Sequence, residues 1–521
     1  MAAVTARRSF VDTQPRPQLL WPVALAASLA GPLLLSLAFP MINFGLVSLI
    51  ALVPLFLVWS KASWKQALWW GWLAGTVMFI LLINWMMHSI GDFVGSWSIV
   101  ALVLLSAYEG LFVAASAVLA SLIGRGEFRP ISVVALPAAW LLLENVRTRG
   151  SLGVPFGELG LAAAHLPWLL PLAAYGGVYL LSAIIALANG AVAGLIGGTP
   201  AARRTSAIVL AALVLLVAAG SAARQGVAIE PRTLRVGIAQ GNISQREKWT
   251  PAIFERTLEI YTALTRQAVA RGATIVVWPE TAVTSYPLQQ PWLLTRLESV
   301  AATNHAWIMA GTVDRPSPDG LFNALLELTP AGTVGGVYHK RFLVPFAEYL
   351  PLDRLLRRLP LLDSASHFVS GPGPHLLPAA GWWWGTLICY ESAYAPYARA
   401  TANAGADALI IATDDAWFGG TSGPYQHADV AVVDAVSTGR FVVRGADTGI
   451  SEIIDPKGTI VARLGLGEQG IVVGDIGRGT VTPYDRHGVF WLLFFALLAL
   501  LAGLWPLPSR DVGWRSRRGA S

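Results

Sequence analysis

The chain has 521 residues, of which 55% are hydrophobic and only 13% are charged, and its formal net charge is +6. Soluble globular domains carry about 25% charged residues, so this composition excludes a chain that is soluble throughout. The acidic residues are unevenly placed, because only seven of the 31 lie in residues 1–230 and only one follows residue 487. A polar domain is therefore framed by apolar segments that belong in a membrane.

Eight apolar stretches predict membrane-spanning helices, since about 20 apolar residues cross the hydrocarbon core of a bilayer. The clearest contain no charge, and they are residues 166–196 and 488–507. The other six are residues 19–39, 42–60, 68–88, 97–123, 130–146 and 206–222. The first two and 130–146 could instead be short, tilted or re-entrant. A cleaved signal peptide is the alternative for residues 1–39, although further spans follow it.

Basic residues in the short loops predict the orientation, because cytoplasmic loops carry the excess of Lys and Arg. With eight spans, both termini and the even-numbered loops share one side, which holds Arg7, Arg8, Arg16, Lys61, Lys65, Arg125, Arg129, Arg203, Arg204, Arg510, Arg515, Arg517 and Arg518. The exceptions on the opposite side are Arg147 and Arg149, close to Glu144 and Glu158. The polar domain is therefore expected on the non-cytoplasmic side. The positive charge then reflects topology, and no nucleic-acid partner is expected.

The polar domain alternates β-rich runs with amphipathic helices, which predicts an α/β fold. Strands are expected over residues 234–240, 274–278, 307–313, 321–328, 335–339, 383–389, 408–413, 441–444, 451–454 and 470–476, with helices near 250–271 and 291–305. So many strands with flanking helices predict a layered α-β-β-α sandwich. The expected order along the chain is a cytoplasmic tail (1–18), seven transmembrane helices (19–222), this domain (232–485), a last transmembrane helix (488–507) and a basic cytoplasmic tail (508–521).

Three of the expected strands end at a reactive side chain. Glu280 follows the run 274–278, Lys340 follows 335–339, and Cys389, the only cysteine, ends 383–389. Each has a structural alternative: a surface carboxylate at a turn, a solvated hairpin charge and an inert core thiol. With one cysteine, an intramolecular disulfide is impossible.

Together the three groups suit nucleophilic catalysis. A thiol with a pKa of about 8.5 is only a few per cent thiolate at neutral pH. A nearby carboxylate can take its proton, and an ammonium group can stabilise the thiolate and the oxyanion. No His is required, and His339 and His427 are expected to be structural hydrogen bonders. No His pair has the spacing of a zinc site, so no metal is expected.

The residues around these groups resemble a known superfamily. Glu280 in Trp278-Pro279-Glu280, Lys340, and Cys389 in Ile388-Cys389-Tyr390-Glu391 are similar to the Glu-Lys-Cys triad of the nitrilase superfamily, in that family's chain order. The stretch Asp415-Ala416-Trp417-Phe418-Gly419, followed by Gly423-Pro424-Tyr425-Gln426-His427, is similar too. With membrane helices on both flanks, the chain resembles the membrane-embedded apolipoprotein N-acyltransferase branch over residues ~20–505.

That resemblance implies a ping-pong N-acyltransferase of the bacterial inner membrane with an extracytoplasmic catalytic domain. A phospholipid would donate an acyl group to Cys389 as a thioester, and the N-terminal amine of a diacylglyceryl-cysteine apolipoprotein would accept it. Glu280 would be the base and Lys340 the oxyanion stabiliser. The supporting residues implied are Glu348, Tyr390, Glu391 and Trp249. No cofactor and a monomer are expected.

The chain departs from the family pattern at two places. Asp414 stands where the family usually has Asn before the Asp-Ala-Trp-Phe-Gly stretch. The loop Val154-Pro155-Phe156-Gly157 lacks the Trp that the family often shows, which leaves its contacts with lipid open. A further question concerns Trp382, Trp383 and Trp384, which suit a membrane interface and a hydrophobic core equally well.

Two other functions remain open from the sequence. A membrane-anchored amidase or nitrilase would use the same triad but give its thioester to water. A transporter or scaffold with a degenerate domain is suggested by Glu109, because intramembrane carboxylates are often functional. An intact triad argues against the second alternative, and the multispan membrane part favours a lipid substrate over the first.

Overall fold

The architecture comes from a computed structural model, which describes residues 20–150, 152–225, 231–318, 320–351 and 368–506. Within these ranges, the side chains of residues 92–94, 225 and 246 are not described. The two expected cytoplasmic tails, residues 1–18 and 508–521, lie outside the described residues.

The membrane part begins with eight helices that precede the polar domain. They are α1 (Trp21–Leu37), α2 (Gly45–Lys61), α3 (Trp64–Leu82), α4 (Met86–Val94), α5 (Trp97–Gly124), α6 (Ser132–Arg147), α7 (Ala173–Gly197) and α8 (Pro200–Gln225). One more apolar helix, Phe490–Leu504, follows the polar domain. All eight expected spans have a helical counterpart, and the short α4 is the unexpected addition.

By length and composition, three helices of the described chain can cross a membrane: Trp97–Gly124, Leu170–Gly197 and Pro200–Arg224. The shorter apolar helices are Trp21–Leu37, Gly45–Lys61 and Phe490–Leu504. The expected multispan helical domain is therefore confirmed, and several of its helices are shorter than a full span.

Small residues let α3 and α5 pack closely. A Cβ on Gly75 would lie 2.7 Å from the Gly110 Cα, and one on Gly71 would lie 2.5 Å from the Ala117 Cβ. In lipid, close backbone approach between helices replaces the hydrophobic driving force available in water. The glycines therefore allow the backbones of these two helices to come into direct contact.

The polar domain contains two six-stranded sheets. The strands are β1 (Leu234–Gln240), β2 (Ile275–Val277), β3 (Trp307–Ser317), β4 (Gly320–Leu328), β5 (Val334–His339), β6 (Leu376–Ala379), β7 (Trp382–Ile388), β8 (Ala408–Thr413), β9 (Phe441–Ala446), β10 (Ser451–Ile454), β11 (Ile460–Leu464) and β12 (Gly470–Ile476). The first sheet has the order β12-β1-β2-β3-β4-β5, and the second has the order β11-β10-β9-β8-β7-β6. In each sheet three central strands run parallel, β1-β2-β3 and β7-β8-β9, and the remaining pairs are antiparallel.

The sheets face each other and carry helices on their outer faces, as the α-β-β-α prediction requires. Four helices form the outer layers: α9 (Pro251–Ala270), α10 (Pro291–Asn304), α11 (Ala395–Asn403) and α12 (Gly423–Thr438). The helix Phe490–Leu504 is α13. One core lies between the sheets, and a second lies between α9, α10 and the first sheet. The outer face of the second sheet shares a continuous core with the membrane helices. The polar domain is therefore packed onto the membrane part through α11 and α12.

The Trp382–Trp384 run does not form a membrane interface. Trp382 and Trp384 are buried between the sheets, and only Trp383 is exposed, because successive side chains of a strand point to opposite faces. The run also lies at the amino end of β7, the opposite end from Cys389. Two of the three indoles are thus core residues.

Candidate active site

The three sequence-predicted reactive residues lie just beyond strand ends. Glu280 follows β2, Lys340 follows β5 and Cys389 follows β7. The turn that carries Glu280 packs closely against Gly311 on β3. A Cβ at Gly311 would lie 2.0 Å from the Pro279 carbonyl oxygen. Only glycine at that position leaves room for the turn that carries the carboxylate.

Lys340 is the centre of a buried ionic network. Its ammonium group lies 3.1 Å from Glu280 Oε1 and 2.9 Å from Glu348 Oε1. The Lys340 side chain is 1% exposed, so solvent screens these pairs little. The structure thus brings together two predicted triad members and the predicted supporting carboxylate.

An amide that the sequence analysis missed joins the two carboxylates. Asn323 on β4 donates from Nδ2 to Glu280 Oε1 at 2.7 Å and to Glu348 Oε1 at 2.8 Å. The backbone N–H of Asp414 donates to the other oxygen, Glu280 Oε2, at 3.0 Å. The only sequence signal for Asn323 was a polar residue inside an apolar strand. These bonds fix the rotamer of Glu280 and leave its charge in place.

A second buried cation, Lys248, holds the backbone of Glu280, and the sequence analysis did not identify it. The ammonium group of Lys248 donates to the Glu280 carbonyl oxygen at 3.0 Å. It also pairs with Asp414 at 2.6 Å and with Asp447 at 3.0 Å. Asp414, the departure from the family pattern, thus supplies a carboxylate that balances a fully buried lysine.

Cys389 sits in a strained turn. Its φ angle is 50°, in the left-handed region that residues other than glycine rarely adopt, and its exposure is 8%. Three groups hold its backbone: the Ser392 N–H and hydroxyl donate to the Cys389 carbonyl oxygen, and His427 Nε2 lies 3.2 Å from it. His427 in turn lies 3.0 Å from Asp415, which also pairs with Arg444. His427 therefore has structural hydrogen bonds in the described site.

The charges of the site oppose one another. Burial raises the pKa of Glu280, and Lys340 and Asn323 more than offset this, so the pKa lies below its ordinary value. Burial lowers the pKa of Lys340, but Glu280 and Glu348 hold it above the ordinary value. Burial and the Glu280 carboxylate raise the pKa of the Cys389 thiol well above its ordinary value, although Lys340 lowers it. At neutral pH the resting site therefore contains a carboxylate, an ammonium group and a neutral thiol.

Glu391 connects the Lys340 loop to the nucleophile. Its Oε1 accepts from the backbone N–H groups of Arg341 at 2.6 Å and Phe342 at 3.1 Å. Its Oε2 accepts from the N–H of Ile388 at 2.7 Å, and the Tyr338 hydroxyl donates to both oxygens at 2.9 Å. This predicted supporting residue thus acts through position, because its oxygens are occupied by backbone and phenol donors.

The other two predicted supporting residues differ in placement. Tyr390 is next to the nucleophile, and its hydroxyl donates to the Gly153 carbonyl oxygen at 3.0 Å. Trp249 follows the buried Lys248 but is itself 49% exposed, so it lies at the edge of the ionic network and not within it. An exposed indole at this edge is available to a ligand.

The membrane part touches the site through the loop between α6 and α7. Gly153 in this loop accepts hydrogen bonds from Tyr390 and Tyr394, and Phe156 packs against Tyr390 with ring centroids 6.1 Å apart. On the other side, Trp85 packs edge-on against both Phe156 and Phe418. The loop therefore bridges the membrane helices and the nucleophile turn.

A buried ion pair braces this loop and accounts for Glu109. Arg147 Nη1 lies 3.2 Å from Glu109 Oε2 and donates to the carbonyl oxygens of Val154 at 2.8 Å and Phe156 at 3.1 Å. Both charged side chains are 4% exposed or less. The intramembrane carboxylate that suggested a transporter thus has a structural partner.

Comparison with known proteins gives matches to both parts of the chain. The family model for the apolipoprotein N-acyltransferase N-terminal domain matches residues 31–191, and the carbon-nitrogen hydrolase model matches residues 235–486. The chain is 33% identical to the apolipoprotein N-acyltransferase of Azotobacter vinelandii over 92% of its own length and 94% of the relative. It has the same identity and the same coverage with the apolipoprotein N-acyltransferase of Geobacter metallireducens. A solved amidase from Nesterenkonia sp. is 20% identical, with a TM-score of 0.40 over 51% of this chain and 98% of that chain.

Proposed function

Because the chain belongs to the apolipoprotein N-acyltransferase family, we propose that it moves a fatty acyl group from a phospholipid to the N-terminal amine of a diacylglyceryl-cysteine lipoprotein. The observation that carries the mechanism is the Lys340 ammonium group, which is held between Glu280 and Glu348 and lowers the pKa of the Cys389 thiol through its charge. A buried ammonium group held just beyond the end of a strand is suited to stabilising an oxyanion. The covalent intermediate is a thioester on Cys389.

The first half-reaction loads the enzyme. Glu280 takes the proton of the Cys389 thiol as sulfur attacks the ester carbonyl carbon of the phospholipid. Lys340 stabilises the tetrahedral oxyanion by charge and hydrogen bonding. The carbon–oxygen bond then breaks, and the departing alkoxide takes the proton from Glu280. The products are the thioester and a lysophospholipid.

The second half-reaction uses the same groups. The amine of the lipoprotein attacks the thioester carbon, Glu280 accepts a proton from the amine, and Lys340 again holds the oxyanion. Collapse breaks the carbon–sulfur bond and forms the amide. The thiolate regains the proton from Glu280, which restores the resting site. A covalent intermediate of this kind gives ping-pong kinetics.

The test follows the acyl group. Mass spectrometry of the protein incubated with phospholipid should show a fatty acyl adduct on Cys389, and a diacylated lipopeptide should then remove it as an amide. Cys389→Ala should abolish both steps, and Cys389→Ser should lose most activity, since a hydroxyl is harder to deprotonate than a thiol. Release of free fatty acid in place of the amide would favour the hydrolase alternative.

We also propose the bacterial inner membrane as the location, with the catalytic domain over residues 232–485 on the periplasmic side, and a monomer as the working unit. The basic loops support the orientation. In a Cys389→Ala background, Arg256→Cys on the exposed side of α9 should react with an impermeant maleimide from outside. Lys65→Cys, at an exposed position in the first turn of α3, should react only after permeabilisation. The reverse pattern would overturn the orientation.

A further inference from the structure

A pocket of about 510 Å³ opens beside the loop that follows Lys340. The lining residues used below are Gly150, Arg341, Phe342, Tyr349, Val369 and Tyr394. Gly150 belongs to the loop after α6 in the membrane part, and the other residues belong to the catalytic domain. The pocket therefore lies at the junction of the two parts, and its size falls within the range of ligand sites.

Most of the described lining is aromatic or aliphatic, and Arg341 is its one cationic residue. The Arg341 side chain is exposed. Within the described part of the chain, its guanidinium donates to one carbonyl oxygen, that of Gly371, at 3.0 Å. Since a guanidinium has five N–H donors in a fork that matches phosphate oxygens, donors remain for an anionic ligand.

The position of Arg341 relative to Lys340 suggests which anion it meets. The two residues are adjacent, but Lys340 is buried in the ionic network and Arg341 is exposed in the pocket. Two cations that are neighbours in the sequence therefore face different surroundings, because the Lys340 side chain is 1% exposed and the Arg341 side chain lines the pocket. A glycerophospholipid offers one group for each cation, the ester carbonyl for Lys340 and the phosphate for Arg341, and these two groups are only a few bonds apart.

We propose that Arg341 binds the phosphate of the phospholipid acyl donor while the ester carbonyl lies at Lys340 and Cys389. The apolar walls of the pocket then contact the first part of the lipid chains. This assignment rests on the proposed function and refines it. The diacylglyceryl-cysteine acceptor has no phosphate, so Arg341 acts in the first half-reaction only, whereas Lys340 acts in both.

The experiment compares two acyl donors that differ in the phosphate. Thioester formation is measured in detergent micelles with phosphatidylethanolamine or with a diacylglycerol of the same chains, for wild type, Arg341→Gln and Arg341→Lys. With the phospholipid, Arg341→Gln should lower kcat/KM by about 10- to 100-fold, the loss expected for one charge-assisted hydrogen-bonding group. Arg341→Lys should recover part of this. With diacylglycerol, all three should be equal.

Amine transfer is measured separately. Enzyme loaded from a p-nitrophenyl fatty ester, which contains no phosphate, should acylate a diacylated lipopeptide at the same rate in wild type and Arg341→Gln. Arg256→Gln, at an arginine exposed on α9, is the matched control and should change neither step.

The outcomes separate the possible roles. Equal losses with both donors, or slower amine transfer, would show that Arg341 only holds its loop through the Gly371 carbonyl. Inhibition of wild type by millimolar inorganic phosphate, with no loss of phospholipid turnover in Arg341→Gln, would assign the site to free phosphate. Either result would overturn the proposal. If the wild type forms no thioester from either donor, the proposed function itself fails.

Discussion

Replacing Glu391 with Gln tests how firmly the loop after Lys340 must be held against the nucleophile. The two oxygens of Glu391 accept from three backbone N–H groups, those of Arg341, Phe342 and Ile388, and from the Tyr338 hydroxyl. An amide has only one acceptor oxygen. Its NH2 group must therefore face at least one of these backbone donors.

The least costly orientation turns the NH2 group toward Ile388 and keeps both bonds to the loop. One buried N–H group then has no acceptor, which costs about 1–3 kcal/mol. The hydrolase-like domain has about 250 residues, and each kcal/mol lowers the Tm of such a domain by about 2–4 °C. We therefore expect Glu391→Gln to lower the Tm by about 2–12 °C.

The assay is thermal unfolding in detergent at pH 8, with thioester formation and amine transfer timed separately. At pH 8 the wild-type carboxyl is ionised, because burial raises the pKa of Glu391 only to about 7. Both rates should fall together, since the N–H of Ile388, directly before Cys389, loses its acceptor, and the turn that carries the thiol then shifts relative to Lys340. Glu259→Gln, at an exposed carboxylate on α9, is the control. An unchanged Tm with unchanged rates would refute the positioning role of Glu391.

Three further changes test the site and its support. Glu280→Gln should prevent thioester formation, because the base is lost. It should nevertheless speed alkylation of Cys389 by iodoacetamide at pH 7, because the negative charge of Glu280 raises the pKa of the thiol and Lys340, which lowers it, remains. Slower alkylation would argue against that balance of charges. In the wild type, alkylation should keep rising with pH through pH 9, since the thiolate fraction grows only as pH approaches the raised pKa. Lys340→Met should slow both half-reactions by about 10²- to 10³-fold in single-turnover assays, and a loss confined to one step would contradict its oxyanion role. Arg147→Met should destabilise the protein by about 3–5 kcal/mol, because Glu109 is left buried without its partner. Arg149→Met, at an exposed position, is the control and should not destabilise the protein. Equal unfolding temperatures in the two variants would contradict a stabilising role for the Arg147–Glu109 pair.

The fold was largely predictable because hydrophobic periodicity is a local signal. All ten expected strands overlap observed ones, and the observed strands that were missed are β6 and β11, at the outer edges of the second sheet. Edge strands bury less surface, so their alternation of polar and apolar residues is weaker. Helices α11 and α12 were also missed, since α12 is buried along almost its whole length and shows no polar face.

The candidate site was predictable where a reactive side chain ends an apolar strand. Asn323, Lys248 and Arg147 were not identified as site residues, for a different reason. Each obtains its role from residues far away in the sequence, such as Asp414, which lies 166 positions from Lys248. In a single sequence, Lys248 is one charge in a polar segment, and only the tertiary fold shows that it is buried between two carboxylates.

The balance of charge in the site explains how a buried thiol can react without a histidine. In the resting state Lys340 carries the positive charge, Glu280 and Glu348 carry negative charges, and the thiol is neutral. Moving the proton from sulfur to Glu280 leaves the total charge unchanged, so no new net charge must be created in a buried site. The negative charge moves from the carboxylate to sulfur and then to the carbonyl oxygen, and Lys340 remains available to stabilise it at each stage. In the proposed mechanism the phospholipid ester and the lipoprotein amine both react through this one redistribution, so a single set of groups can serve both half-reactions. The two lipids then need to differ only in how they are bound, which is the task that the neighbouring Arg341 is suited to perform.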